Sequence, residues 1–144
     1  MFIGEYKHTI DPKKRLAIPI KFRKELGDKA MLTRGLDGCL FIFPMKEWEQ
    51  LAEKLGKLPF GKQDSRGFAR LLLAGALEVK FDQLGRILVP DFLKDYAALK
   101  KEVVIAGLFN KLEIWDEARW FSYKANLEKN SDRIAEKLGE LGII

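Results

Sequence analysis

A chain of 144 residues can bury one proper core, or two small halves that share one. At 47% hydrophobic and 33% charged it has the composition of a folded protein, with no low-complexity tract and no apolar run near the roughly 20 residues of a membrane span. The net charge of +5 is confined to one end: residues 1–34 hold nine basic side chains against four acids, and the remainder holds 17 of each. Such asymmetry marks either a polyanion-binding surface or a solvated basic face.

The opening MFIGEYKHTI lacks a basic stretch followed by an apolar one, so no secretion signal is expected. The pattern predicts a strand over 5–10, a polar turn Asp11-x-x-x-Arg15, and a strand over 15–18 halted by Pro19, which has no amide to donate to a ladder. A short helix over 20–26 follows. AMLTRGL and CLFIF then read as a hairpin about Asp37-Gly38, a pair that tolerates positive φ at both turn positions. Pro44 opens a helix, MKEWEQLAEKL, with Trp48, Leu51 and Leu55 on one face. The linker 64–76 reads as helical, with Phe68, Leu71 and Leu72 inward. Strands over 77–81 and 86–89, a helix over 91–97 and a hairpin of EVVIAGL and KLEIW about Phe109-Asn110 come next. Last, Trp120, Tyr123, Leu127, Ile134, Leu138 and Leu141 form a helical stripe, suited to the core or to a neighbouring subunit.

The chain is a duplication. IDPKKRLAIPIKF (10–22) aligns with FDQLGRILVPDFL (81–93) at an offset of 71, matching Asp11 to Asp82, Arg15 to Arg86 and Pro19 to Pro90. RGLDGCLFIFP (34–44) aligns with AGLFNKLEIWD (106–116) at an offset of 72, where Gly35 matches Gly107 and, farther on, Trp48 matches Trp120.

Catalytic chemistry has little to stand on. His8 and Cys39 are each alone of their kind, which excludes an internal disulfide, a Cys/His metal cluster and a histidine-based nucleophile–base pair. No Gly-rich phosphate loop occurs. Cys39, within CLFIF, reads as a buried small hydrophobe, and single-cysteine usage fits a reducing cytoplasm. Neither an enzyme, a cofactor, a metal nor a small-molecule substrate is expected.

The repeated Asp-x-x-x-Arg carries the most information. Aspartate can accept backbone amides and fix a turn. The planar fork of arginine, projecting from the next strand, fits guanine O6/N7 or a phosphate. A salt bridge that merely holds the turn is one reading. DNA contact is the other, favoured by two copies with the basic surplus around the first. Lys13 and Lys14 beside Arg15, with Lys7, make the candidate contact set together with Arg86. Asp11 and Asp82 are the turn-fixing residues. Because the second turn has Leu84 and Gly85 instead of lysines, the first is expected to make more phosphate contacts.

DPKKRLAIP and DQLGRILVP, the MFIGEY start and FIFPMKEWEQL closely resemble the MraZ family of bacterial transcriptional regulators, which carry two SpoVT-AbrB-type modules. The resemblance spans essentially residues 1–140. It implies an α+β fold, a swapped-hairpin AbrB-like β-barrel with flanking helices, made of modules at 5–47 and 76–119 and a helical segment at 120–144. It also implies ring-shaped homo-oligomers in the cytoplasm, associated with the nucleoid. Their partner would be double-stranded DNA, at short repeated boxes upstream of the division and cell-wall genes. No membrane partner is implied. Pro12 and Lys14 stand where the second copy has Gln83 and Gly85, and lysine reaches left-handed angles only at a cost, so the two turns are expected to differ in shape. AbrB-type modules also serve as DNA-binding halves of antitoxins, where the C-terminal segment would bind a toxin. A regular helical stripe is unlike a disordered toxin-wrapping tail.

Overall fold

A computed structural model describes residues 1–144. The first copy contributes β1 (Phe2–Thr9), β2 (Arg15–Ala17), α1 (Ile20–Leu26), β3 (Lys29–Arg34), β4 (Leu40–Pro44) and α2 (Met45–Gly56). A connector, α3 (Gln63–Ala69) running into a π turn (Arg70–Ala74), leads to the second copy. That copy holds β5 (Leu77–Lys80), β6 (Arg86–Leu88), α4 (Asp91–Tyr96), β7 (Glu102–Phe109), β8 (Lys111–Asp116) and α5 (Glu117–Lys129), with α6 (Ser131–Glu140) at the end. Local chemistry explains most boundaries. Pro19 and Pro90, with φ of −52° and −68°, halt β2 and β6 and start the helices that follow. Asp37 and Gly38 both adopt positive φ at the first hairpin, as a two-residue turn requires. Phe109 takes the same left-handed region at the second, where glycine would be the easier choice.

The strands form two antiparallel sheets, one in the order β1-β7-β8-β4-β3-β5 and one of β2 and β6 alone. Both are open. The barrel closure implied by the resemblance is not made by these ladders. Partners are exchanged between copies: β1 pairs along β7 from Phe2↔Phe109 to Thr9↔Glu102, β5 pairs with β3, and Leu16 of β2 faces Ile87 of β6. β1 starts earlier than the expected residue 5 and is twice as long as β5. The missing length of β5 is replaced by the π turn, whose Leu72 carbonyl accepts a buried 2.6 Å hydrogen bond from the Thr33 hydroxyl.

One core of 20 buried residues draws equally on both copies: Leu16, Ile18, Phe22 and Leu26 meet their equivalents Ile87, Val89, Leu93 and Ala97. A second cluster, of Cys39, Phe41, Phe43, Trp48, Leu55, Leu72 and Trp115, fills the space under α2 and the connector. The repeat is visible here too, since the Phe43–Trp48 pair at 5.8 Å is echoed by Trp115–Trp120 at 5.4 Å. Cys39 is buried, and burial pushes its thiol far above the ordinary range, as suits a packing residue. Of the connector residues expected to point inward, Leu72 is buried but Phe68 is 39% exposed, at the edge of an open groove that it lines with Leu51 and Leu72. The C-terminal stripe divides. Tyr123 stacks on Trp115 at 5.0 Å, whereas Leu127 and Leu141 stay exposed and α6 buries no residue. No helix is long and apolar enough to cross a membrane.

Gly35 and Gly107, equivalent in the repeat, are both places of close backbone approach. A Cβ on Gly107 would stand 2.5 Å from the Ile3 nitrogen, and one on Gly35 would stand 2.8 Å from the Cys39 carbonyl oxygen. Gly35→Ala and Gly107→Ala are therefore expected to lose about 1–3 kcal/mol of stability in chemical denaturation. Gly67→Ala, in α3 with open space around it, is expected to gain roughly 0.5–1 kcal/mol.

Candidate nucleic-acid interface

The Asp-x-x-x-Arg segments are two closed turns of nearly one geometry. In the first, Oδ1 of Asp11 accepts the amides of Lys13 and Arg15, both at 2.9 Å, and Oδ2 accepts Nε of Arg15 at 2.6 Å. In the second, Oδ1 of Asp82 accepts the amides of Leu84 at 2.9 Å and Arg86 at 2.8 Å, and Oδ2 accepts Nε of Arg86 at 2.7 Å. Backbone bonds match as well: Asp11 N donates to Arg15 O and Asp82 N to Arg86 O, each at 3.0 Å. The expected difference in shape is corrected. Lys14 adopts φ 64° where Gly85 has 73°, so the lysine accepts the left-handed backbone and the turn keeps its form. That conformation costs a non-glycine residue about 1–2 kcal/mol, offset here by three hydrogen bonds to one carboxylate. The amide of Arg15, with its side chain second among the favourable contacts, holds the Asp11 carboxyl below its ordinary value. The amide and side chain of Arg86 do the same for Asp82.

The fold then sets the turns side by side. The short β2–β6 ladder is extended by two crossed bonds, Ile18 N to Gly85 O at 3.0 Å and Val89 N to Lys14 O at 2.9 Å, which are equivalent under the repeat. Nη1 of Arg86 consequently lies 4.0 Å from Oδ2 of Asp11, the carboxylate that holds Arg15. Each arginine spends Nε on its own aspartate, and no protein group accepts a hydrogen bond from the terminal nitrogens of either. The result is a pair of pre-oriented, partly exposed guanidinium forks on one face. Next to them a groove of about 640 Å³ is lined by Lys14, Arg15, Arg86, Leu77, Val79 and Leu88.

The other residues anticipated at this face are placed less uniformly. Lys13 is exposed and makes no ion pair. Lys14 is exposed, but its ammonium donates to Asp91 of α4 at 2.7 Å. Lys7 is not brought to the turns. It stands 5.0 Å above the ring of Phe121 on α5 and has no hydrogen bond or ion pair to either motif. Sequence reasoning overlooked Asp91, and also Arg23, Lys24, Lys94, Lys100 and Lys101, which border the two turns. One signal was present: at the offset of 71, Arg23 and Lys94 coincide, a basic residue at the same helical place in both copies. No group of three or more His, Cys, Asp and Glu side chains is positioned to hold a metal ion.

Because both carboxyls are held below their ordinary value, their contribution to stability is complete above the unfolded aspartate value of about 3.9 and fades as pH falls through the lower folded one. The double variant Asp11→Asn, Asp82→Asn should therefore melt below the parent at neutral pH. The gap should close only below about pH 4. A gap that does not change with pH would show that the charge of the carboxylates is irrelevant to the turns.

The family model described as "MraZ protein, putative antitoxin-like" matches the chain twice, over residues 1–71 and 72–139. The chain is similar to the transcriptional regulator MraZ of Halothermothrix orenii, with 50% identity over 143 residues that cover 99% of this chain and 100% of the relative. It is equally similar to the protein of that name from Oenococcus oeni, with 50% identity over 143 residues and the same coverage. The counterpart from Clostridium acetobutylicum is 49% identical over 144 residues, again covering 99% and 100%. A double match and near-complete alignment at this identity leave one assignment: the chain belongs to the MraZ family.

Proposed function

We propose that this chain is a sequence-specific, non-enzymatic transcriptional regulator that binds double-stranded DNA through its paired turns. Its sites are short repeated boxes upstream of its own division and cell-wall gene cluster. The observation that carries the reading is the pair of guanidinium forks, each fixed by its own aspartate and each with unused terminal nitrogens. Such forks match guanine O6/N7 in the major groove, and fixing them beforehand reduces the entropy lost on binding. Lys13 and Lys14 contact phosphates, and Lys14 exchanges Asp91 for the DNA backbone. The names of the relatives, all transcriptional regulators, support the same reading.

The associated architecture is an AbrB-like double module. Residues 5–47 and 76–119 form one pseudo-symmetric unit, and 120–144 form an appended helical segment. The protein acts in the cytoplasm at the nucleoid, as a closed ring of several chains. One chain already contains both halves of the pseudo-symmetric unit, so assembly uses other surfaces, and repeated contacts between unlike surfaces form a ring where their rotation closes. The exposed apolar residues Leu127, Leu141, Ile143 and Ile144 support a role for the C-terminal helices in that contact.

Binding to the duplex upstream of the gene should weaken with salt at about −0.9 in log–log slope per neutralised phosphate, as read by fluorescence anisotropy. Arg15→Ala and Arg86→Ala should each reduce discrimination against a scrambled duplex by about 1–3 kcal/mol per lost base contact. Lys13→Ala with Lys14→Ala should lower affinity for both duplexes alike. Absence of any preference for the upstream duplex over the scrambled one would overturn the reading. Light scattering should report an assembly larger than a dimer at micromolar concentration, and a stable monomer would rule out the ring.

A further inference from the structure

Each turn is bordered by cations that belong to the other copy. Beside the second turn, Arg23 and Lys24 of α1 line a groove of about 720 Å³ together with Asp82 and Gly85. Beside the first, Lys94 of α4 with Lys100 and Lys101 lines a groove of about 520 Å³ together with Thr9, Asp11 and Pro12. None of these five cations is in an ion pair. The acids that share the grooves are Asp11 and Asp82, each already bound to its own arginine, and Asp28 beside Arg23 and Lys24. Unpaired cations flanking a pair of presented arginines on both sides are what a polyanion running across the face would meet.

The two turns also solve one problem in opposite ways. At the first, Lys14 carries its own cation at the corner. At the second, Gly85 has no side chain, and the guanidinium of Arg23 lies directly on it, so that a Cβ there would fall inside the guanidinium. Arg23 is held in this place by its Nε, which donates to the Ile18 carbonyl at 2.7 Å, leaving its terminal nitrogens over the turn. The cation missing from the second turn in sequence is thus delivered by α1 in space.

We propose that the two grooves are phosphodiester-binding clefts that extend the DNA interface, and that Arg23 is the counterpart of Lys14 at the second turn. The proposal rests on the DNA-binding reading above. It also runs against the expectation that the first turn makes more phosphate contacts than the second, since each turn receives its share across the copy boundary.

The test uses the full-length chain, the upstream duplex and a scrambled duplex, each titrated over a salt series. R23Q with K24Q, and separately K94Q with K100Q and K101Q, should weaken binding to both duplexes by the same factor and flatten the slope by about 0.9 per lost contact. R23K should restore the slope, which a purely structural role for the Nε bond would not predict. Should R23Q fail to fold, acetylation of the parent protein decides. Lys24, Lys100 and Lys101 should be shielded several-fold by either duplex, relative to Lys54 on α2. Unchanged slopes in folded variants, or unchanged acetylation, would overturn the proposal while leaving the DNA reading intact. A parent protein that binds neither duplex would instead remove the DNA reading itself.

Discussion

The first strand of each copy lacks a partner in its own copy, and everything else follows from how that lack is met. β1 runs along β7 and β5 along β3, so each copy supplies the edge that completes the other. An unpaired strand leaves a row of amides and carbonyls unsatisfied, so neither copy can close alone. The exchange merges two small apolar faces into one core of 20 residues, larger than a half-length module could build. It also brings β2 against β6, so that equivalent strands of the two copies touch there as β4 and β8 do in the larger sheet.

That contact is what turns two modest motifs into a site. An Asp–Arg pair on a surface turn contributes little by itself, since exposed ion pairs are worth at most about 1 kcal/mol. What the carboxylate does is decide geometry. It gathers two amides and one guanidinium nitrogen, and so fixes where the remaining nitrogens point. The crossed bonds Ile18–Gly85 and Val89–Lys14 then lock the distance between the two forks. Salt bridge and ligand contact, posed as alternatives in the sequence, are compatible, because the salt bridge occupies Nε and leaves the terminal nitrogens of the same arginine free.

Duplication, strand positions and hairpin turns could be read from the residues because they depend on local chemistry: Pro19 and Pro90 as stops, Asp37-Gly38 as a turn, alternating apolar residues as strands. Three features could not. Lys14 adopts a glycine-like angle because the surrounding hydrogen bonds outweigh its intrinsic preference, a tertiary effect that sequence position does not reveal. Phe68 stays partly exposed because the groove it shares with Leu51 of α2 is left open, although its helical spacing matched that of buried Leu72. Lys7 lies with Phe121 on α5, not with Arg15, because the strand carries it along β7 and away from the turn. The cations of the opposite copy left only the match of Arg23 with Lys94 in the sequence, and their place beside the turns was hidden for a related reason. Arg23 is 62 positions from Gly85 in the chain, and only the strand exchange makes them neighbours.

The exchange of Lys14 for Gly85 has one more effect. A dimer of identical modules has a true twofold axis, so it looks the same from either end and can only demand that its target read the same in both directions. Here the two halves are covalently joined, and one corner bears a lysine tied to Asp91 while the other bears a borrowed arginine over bare backbone. The axis survives in the fold and is broken in the chemistry. A molecule built this way has a front and a back along the face that carries its two turns. Copies placed in a row all facing the same way would require their targets to be arranged head to tail.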